Sequence, residues 1–94
     1  MNYILKYEQK VAKEDIPNLP KSWREKIEKA IEDKLGNEPN LYGKPLRRSL
    51  RGYRKLRVGD YRIIFLIENK TVKIFFIGHR SRVYERALLR LSGD

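Results

Sequence analysis

The sequence predicts an α+β fold. It describes one small domain, residues 1–94, in which an antiparallel β-sheet carries N-terminal helices on one face and a short C-terminal helix. Three observations lead there. Segments 53–58 and 61–68 alternate apolar and polar residues around the dipeptide Gly59-Asp60, and a third segment, 71–77, follows Asn69-Lys70. Strands joined by two turn residues are β-hairpins. Between residues 22 and 35, Trp23, Ile27, Ala30, Ile31 and Leu35 recur at helical spacing. Finally, 94 residues that are 40% hydrophobic suffice for one core and not for two.

The elements follow in order. Met1 to Tyr7 sets Tyr3, Leu5 and Tyr7 against Asn2, Ile4 and Lys6, the alternation of a first strand. Val11 to Pro17 is a short helical turn that Pro17 and Asn18-Leu19-Pro20 end. Ser22-Trp23-Arg24-Glu25 has the form of a capping box, in which serine and glutamate each bond the other's backbone N–H. The helix behind it closes at Gly36, with Trp23 as the largest residue of its buried stripe or, alternatively, a base-stacking platform. Asn37 to Lys44 is a loop marked by Pro39 and Gly43, and Leu46 to Leu50 is expected to be a strand. Tyr53–Val58, Tyr61–Glu68 and Thr71–Ile77 form the meander, and Gly78 to Arg82 is a basic loop. Val83 to Leu91 is a helix with Val83, Ala87, Leu88 and Leu91 on one side.

Turn lengths set the register, and register sets the faces. Around Gly59-Asp60, Arg57 opposes Arg62 and Lys55 opposes Ile64; around Asn69-Lys70, Arg62 falls opposite Ile77. One face then gathers Leu56, Val58, Tyr61, Ile63, Phe65, Ile67, Val72, Ile74 and Phe76, to be covered by the first long helix. The other gathers Tyr53, Lys55, Arg57 and Arg62 beside Ile64, Leu66, Phe75 and Ile77, which call for the C-terminal helix or a partner over them.

Composition narrows the chemistry. With no cysteine, disulfide scaffolds, thiol catalysis and cysteine metal sites are excluded, and His79 as the single histidine argues against a histidine zinc site. The N-terminus lacks the apolar stretch of a signal peptide, and no apolar run approaches the roughly 18 residues of a membrane helix, so the expectation is a soluble, cytoplasmic domain with no membrane partner. The formal charge is +10, from 22 basic and 12 acidic residues. Residues 1–40 are balanced, eight against eight, whereas residues 41–94 hold fourteen basic and four acidic side chains. Such asymmetry points to a nucleic-acid or other anionic partner, with plain solubility as the alternative.

On the second face the three cations Lys55, Arg57 and Arg62 converge, and the loop carrying His79, Arg80 and Arg82 leaves from the same edge, with Tyr84 starting the next helix. Like charges this close repel unless an anion lies between them. A phosphodiester fits, because guanidinium forks match phosphate oxygens, and Tyr53 and Tyr84 can stack on bases. The alternative is a solvated basic face. RNA supplies its own nucleophile, the 2′-hydroxyl, so cleavage needs no serine, cysteine or metal. The protein must align that hydroxyl, take its proton, stabilise the phosphorane dianion and protonate the leaving 5′-oxygen.

The run Leu50-Arg51-Gly52-Tyr53-Arg54-Lys55-Leu56-Arg57-Val58-Gly59-Asp60-Tyr61-Arg62-Ile63-Ile64-Phe65 resembles the signature of RelE/ParE-superfamily toxins, and Gly78-His79-Arg80-Ser81-Arg82-Val83-Tyr84 resembles the closing motif of its RelE branch. The resemblance extends over the opening strand, Leu19-Pro20-Lys21 and Leu35 to Pro39. It implies a RelE-like fold and a type II toxin that cleaves mRNA in the ribosomal A site without a cofactor or metal. It further implies an acidic cognate antitoxin that folds on binding, and operator DNA contacted only through the toxin–antitoxin complex. By position it implies catalytic roles for Lys55, Arg62, Arg80 and Tyr84, with His79 as a candidate acid or base. Tyr53, Arg54, Arg57, Arg82, Arg47, Arg48 and Arg51 become RNA contacts. The chain departs from some relatives in having Tyr53 where they have lysine, and in having no acidic residue between Glu38 and Asp60 to pair with His79. Two other readings stay open: a ParE-like inhibitor of DNA gyrase, and a non-catalytic nucleic-acid-binding relative.

Overall fold

In the computed structural model, which describes residues 2–93, five strands form one sheet. They are β1 (Ile4–Tyr7), β2 (Lys44–Pro45), β3 (Arg54–Val58), β4 (Tyr61–Glu68) and β5 (Thr71–His79), in the order β1-β5-β4-β3-β2. Met1, at the start of the expected first strand, and Asp94 lie outside the described residues. The sheet is not wholly antiparallel: β1 runs parallel to β5, while β2, β3, β4 and β5 pair antiparallel in turn. The reason is the connection. β1 is separated from the meander by helices, and a helical crossover is what parallel pairing needs.

The crossover begins with a wide π-type turn, Val11–Asp15, that runs into α1 (Ile16–Asn18). α2 (Lys21–Ala30) follows and widens into a second π turn, Ile31–Leu35. The capping box does not form. The helix starts before Ser22, and the Pro20 carbonyl accepts the N–H groups of Trp23 at 2.9 Å and Arg24 at 3.0 Å. Ser22 and Glu25 lie exposed in the opening turns. Proline ends the preceding segment with a fixed φ and so sets the helix start by itself. Val11, Leu19, Ile27, Ile31 and Leu35 bury against Leu56, Ile63, Phe65, Val72, Ile74 and Ile77 on the first face of the sheet. Trp23 is half-buried in that core, 5.2 Å from the Tyr61 ring.

Residues 37–44 are not wholly loop, since Pro39–Tyr42 forms α3, with proline at its start where a missing N–H costs nothing. The strand expected over Leu46–Leu50 is absent. Arg47, Arg48 and Ser49 are three exposed polar residues in a row, and Arg48–Leu50 closes a 3-10 turn that drops Leu50 into the core.

The β3–β4 pairing matches the register read from the turn, with Arg57 opposite Arg62 and Lys55 opposite Ile64. The β4–β5 pairing does not. It runs as expected from Glu68↔Thr71 to Phe65↔Ile74, then slips, so that Ile64 faces Phe76, Ile63 faces Ile77, and Arg62 faces Gly78 instead of Ile77. Phe75 is the extra residue of a β-bulge, which turns the rest of the strand over. Ile77 therefore packs with the helices of the first face, and Phe76, expected there, packs on the second. On that second face α4 (Val83–Leu91) lays Val83 and Ala87 over Ile64, Phe76 and Leu50.

An ion pair holds α4 in place. Arg90 donates to both oxygens of Asp15, Nη1 to Oδ2 at 2.7 Å and Nη2 to Oδ1 at 2.9 Å, while its guanidinium lies 4.3 Å from the centre of the Phe76 ring. β1 pairs with β5 only as far as Ile74, so β5 continues beyond it without a strand on that side. Two backbone groups of this stretch are satisfied by the pair: the Ile77 N–H donates to Asp15 at 3.0 Å, and the Phe75 carbonyl accepts from Arg90 at 3.2 Å.

Candidate functional site

Four elements meet at one end of the second face. Lys55 comes from β3, Arg62 from β4, His79 from the last position of β5, Arg80 and Ser81 from the turn after it, and Tyr84 from the first turn of α4. Together they line an open cleft of about 440 Å³ in which, among the described residues, no acidic side chain takes part. Sheet register puts Lys55 and Arg62 on one face, and the turn back into α4 brings Tyr84 over them. The Lys55 ammonium stands 5.5 Å from the centre of the Tyr84 ring, a cation–π distance.

Each group has a distinct anchor. Arg62 uses only Nη1 to donate to the Gly59 carbonyl at 2.9 Å and the Tyr61 carbonyl at 3.0 Å. Gly78 stands opposite it, so no side chain crowds it from β5. The Arg80 N–H bonds the Asp60 carbonyl at 2.8 Å, and its side-chain Nε lies 3.7 Å from the Asp60 carboxylate. Both of those side chains are well exposed, so this pair is weak and leaves the guanidinium available. At His79, Nδ1 accepts the Ser81 N–H at 3.2 Å and lies 2.8 Å from the Ser81 hydroxyl. A backbone N–H can only donate, so Nδ1 is the acceptor, and by that bond the proton of the neutral ring sits on Nε2. The His79 ring meets Tyr61 edge-on at 5.5 Å.

The remaining residues read as RNA contacts are scattered. Arg57 is exposed beside Arg62 but does not line the cleft. Arg54 alternates to the helix side of the sheet, where it donates to the Gly43 carbonyl at 3.1 Å. Tyr53 leans on Phe75, ring centres 5.0 Å apart, against the apolar cluster that α4 covers on the second face. Arg47, Arg48 and Arg51 are exposed around the 3-10 turn, and Arg82 faces the neighbouring cavity. Ser81, which orients His79, was legible only as a small residue inside the basic loop. Among the described residues no three acidic or histidine side chains gather as a metal-binding set, and no helix is long and apolar enough to cross a membrane.

A sheet of this order, backed by a helical crossover and ending in a basic cleft beside a C-terminal helix, defines a RelE-like fold. The family model described as the ParE toxin of the type II toxin–antitoxin system, parDE, matches residues 3–84. Toxin RelG of Mycobacterium tuberculosis is 36% identical over 77 residues, covering 80% of this chain and 88% of that protein. Toxin RelE of the same organism is 35% identical over 75 residues, covering 78% of this chain and 77% of the other. Among solved structures, the toxin–antitoxin complex RelBE2 of M. tuberculosis aligns with a TM-score of 0.79 at 30% identity, over 85% of this chain and 100% of that one. The RelB–RelE complex of Methanococcus jannaschii shares the fold, with a TM-score of 0.66 at 24% identity over 86% and 96% of the two chains. The chain belongs to the RelE/ParE family of type II toxin–antitoxin toxins.

Proposed function

We propose that the protein is an endoribonuclease toxin of the RelE branch that cuts mRNA in the ribosomal A site and is neutralised by a cognate antitoxin. The observation that carries this reading is the cleft itself: Lys55, Arg62, His79, Arg80 and Tyr84 line one open surface with no carboxylate among them. Such a surface suits a phosphodiester. Arg62 and Arg80 hold the non-bridging oxygens, and Lys55 adds charge as the phosphorane dianion forms. The 2′-oxygen bonds to phosphorus while the bond to the 5′-oxygen breaks, leaving a 2′,3′-cyclic phosphate and a 5′-hydroxyl. His79, with its proton on Nε2, serves as a donor to an oxygen of the phosphate and offers no lone pair there to the 2′-hydroxyl. Of the two side chains that stand together, Lys55 and Tyr84, the one in its unprotonated form takes the 2′-hydroxyl proton, and the other, protonated, gives a proton to the 5′-oxygen as it leaves.

The partner reading rests on two supports. Relatives of this fold have been solved as antitoxin–toxin complexes, and α4 exposes Leu88, Leu89 and Leu91 near the basic residues Arg82 and Arg86. An acidic segment that folds on binding would cover both.

The test is induced expression in a bacterial host with mapping of message ends. The parent should produce cuts that require ribosomes. Arg62→Ala and Arg80→Ala should lower the rate by about 10²–10³ each, as for other preorganised donors, while Lys29→Ala, at an exposed position of α2, leaves it unchanged. Equal cutting by Arg62→Ala, Arg80→Ala and the parent would refute the assignment. One finding favours a second reading: the matching family model is that of ParE. Growth arrest with an SOS response and intact messages would select a gyrase inhibitor instead.

A further inference from the structure

On the other side of His79 lies a second cavity, of about 250 Å³. Its floor is apolar, built from buried Leu19, Phe76, Ile77 and Val83, with the half-buried Tyr61 ring as a wall. Arg82 and Arg86, exposed at the start of α4, and Asn18, exposed at the end of α1, stand among its lining residues. Asp15 also lines it, but the Arg90 guanidinium takes both of its oxygens, so its charge is answered within the protein.

We propose that this cavity receives the base of the nucleotide adjoining the phosphate held in the cleft. The inference rests on the ribonuclease reading and adds to it a subsite that reads the RNA. Two observations select a nucleotide as the occupant. The first is continuity, since His79 lines both cavities, so that a strand holding a phosphate in the cleft has the second cavity next to it. The second is complementarity. A flat heterocycle attached to a phosphodiester needs an apolar slot with cations at its mouth, and this cavity pairs that floor with Arg82 and Arg86. Proteins that bind single-stranded RNA seat unstacked bases in this way, against aromatic rings and beside arginine. The Asn18 carboxamide offers a donor and an acceptor to a base edge. The subsite is therefore a source of nucleotide preference that the phosphate-holding groups cannot supply, because phosphates carry no sequence information.

The experiment titrates an RNA trinucleotide, 2′-O-methylated so that it resists cleavage, into methyl-labelled protein. The Ile77 and Val83 methyls report the cavity and the Tyr84 ring reports the cleft. All three should respond. With an abasic residue beside the cut, the Ile77 and Val83 responses should vanish while the Tyr84 response remains, and affinity should fall about tenfold, the scale of one stacked base. Asn18→Ala, at an exposed position, should alter preference among bases at that one nucleotide without loss of fold. RNA that moves Tyr84 but leaves Ile77 and Val83 unmoved, whatever the base, overturns the subsite and leaves the cavity as an anchor for a partner's side chain. If all three respond yet messages on translating ribosomes are never cut, the ribonuclease reading falls and the subsite stands. RNA that moves none of them overturns both.

Discussion

Replacing Asp15 by alanine should destabilise this protein far more than a polar-to-alanine change on a helix normally does. The Asp15 side chain is 6% exposed and that of Arg90 12%, and their two bonds at 2.7 and 2.9 Å form a fork-to-fork pair. Removing one member of such a pair costs about 3–5 kcal/mol, because the other is left buried without its counter-charge. Arg90 has a partial refuge in the Glu14 carboxylate 4.0 Å away, which is itself 57% exposed, and this places Asp15→Ala at the lower end. The change also strips the Ile77 N–H of its acceptor, which adds to the penalty. The expected loss is about 3 kcal/mol, a fall in Tm of about 12–20 °C for a domain of this size. Arg90→Ala should cost a similar amount, since it leaves a buried carboxylate and frees the Phe75 carbonyl. The double variant should cost about 4 kcal/mol, well short of the sum, and that shortfall measures the coupling. Urea unfolding followed by Trp23 fluorescence reads all three variants. If each single change costs under about 1 kcal/mol and the double is additive, the pair is a solvated surface contact and does not hold α4.

Gly59→Ala should lose about 2–3 kcal/mol by denaturant titration, because φ is +58° there and an added Cβ runs into the Trp23 ring; a loss under about 1 kcal/mol would mean that the turn relaxes freely. Burial, reinforced by the carboxylates of Glu32 and Glu28, pushes the Tyr7 phenol up to about 12. The folded state therefore keeps the proton after the unfolded chain begins to lose it near pH 10, so stability should fall as pH rises from 10 towards 12. Tyr7→Phe should flatten that fall, and an unchanged alkaline slope would remove Tyr7 as its cause. Binding of single-stranded RNA should weaken with salt at a log–log slope of about −2 if Lys55, Arg62 and Arg80 each meet one phosphate, and Arg80→Ala should reduce the slope by about 0.7; a flat response would exclude the electrostatic contact.

The cleft was legible in the sequence as far as local rules reach. A two-residue turn at Gly59-Asp60 fixes which residues of β3 and β4 oppose one another, and alternation then assigns Lys55, Arg57 and Arg62 to one face; all five pairings follow from that. The same rule puts Arg54 on the opposite face, although the resemblance to the toxin family groups it with the RNA contacts. Asn69-Lys70 predicted the first pairings of β4 with β5 equally well, but nothing in Ile74-Phe75-Phe76-Ile77 announces an extra residue. Four apolar residues in a row are acceptable to either face, so the pattern carries no penalty that would expose a slip. The capping box failed for a related reason: Ser22 and Glu25 satisfy a motif, but Pro20 had already set the start of the helix.

What sets the bulge is distant in sequence. Asp15 and Arg90 are 75 positions apart, and each binds the backbone on one side of Phe76. With the β1 pairing ending at Ile74 of β5, these two side chains take up β5 groups that no strand reaches on that side. The slip has a direct consequence for the cleft. It carries Gly78 to the position opposite Arg62 and sends Ile77 to the helix side, so an apolar side chain that would have lain against the guanidinium is replaced by hydrogen. It also brings Phe76 under α4, where the ring packs with Val83 and fills the space that a Cβ on Gly78 would need. Gly78→Ala therefore tests the link between fold and chemistry. It should displace Phe76 and, through Val83, the helix that carries Tyr84, lowering RNA cleavage through the rate constant while phosphate-dependent binding by Arg62 and Arg80 persists. Equal loss of binding and rate would show that Gly78 acts on Arg62 alone, and an unchanged rate would show that the bulge does not position the cleft.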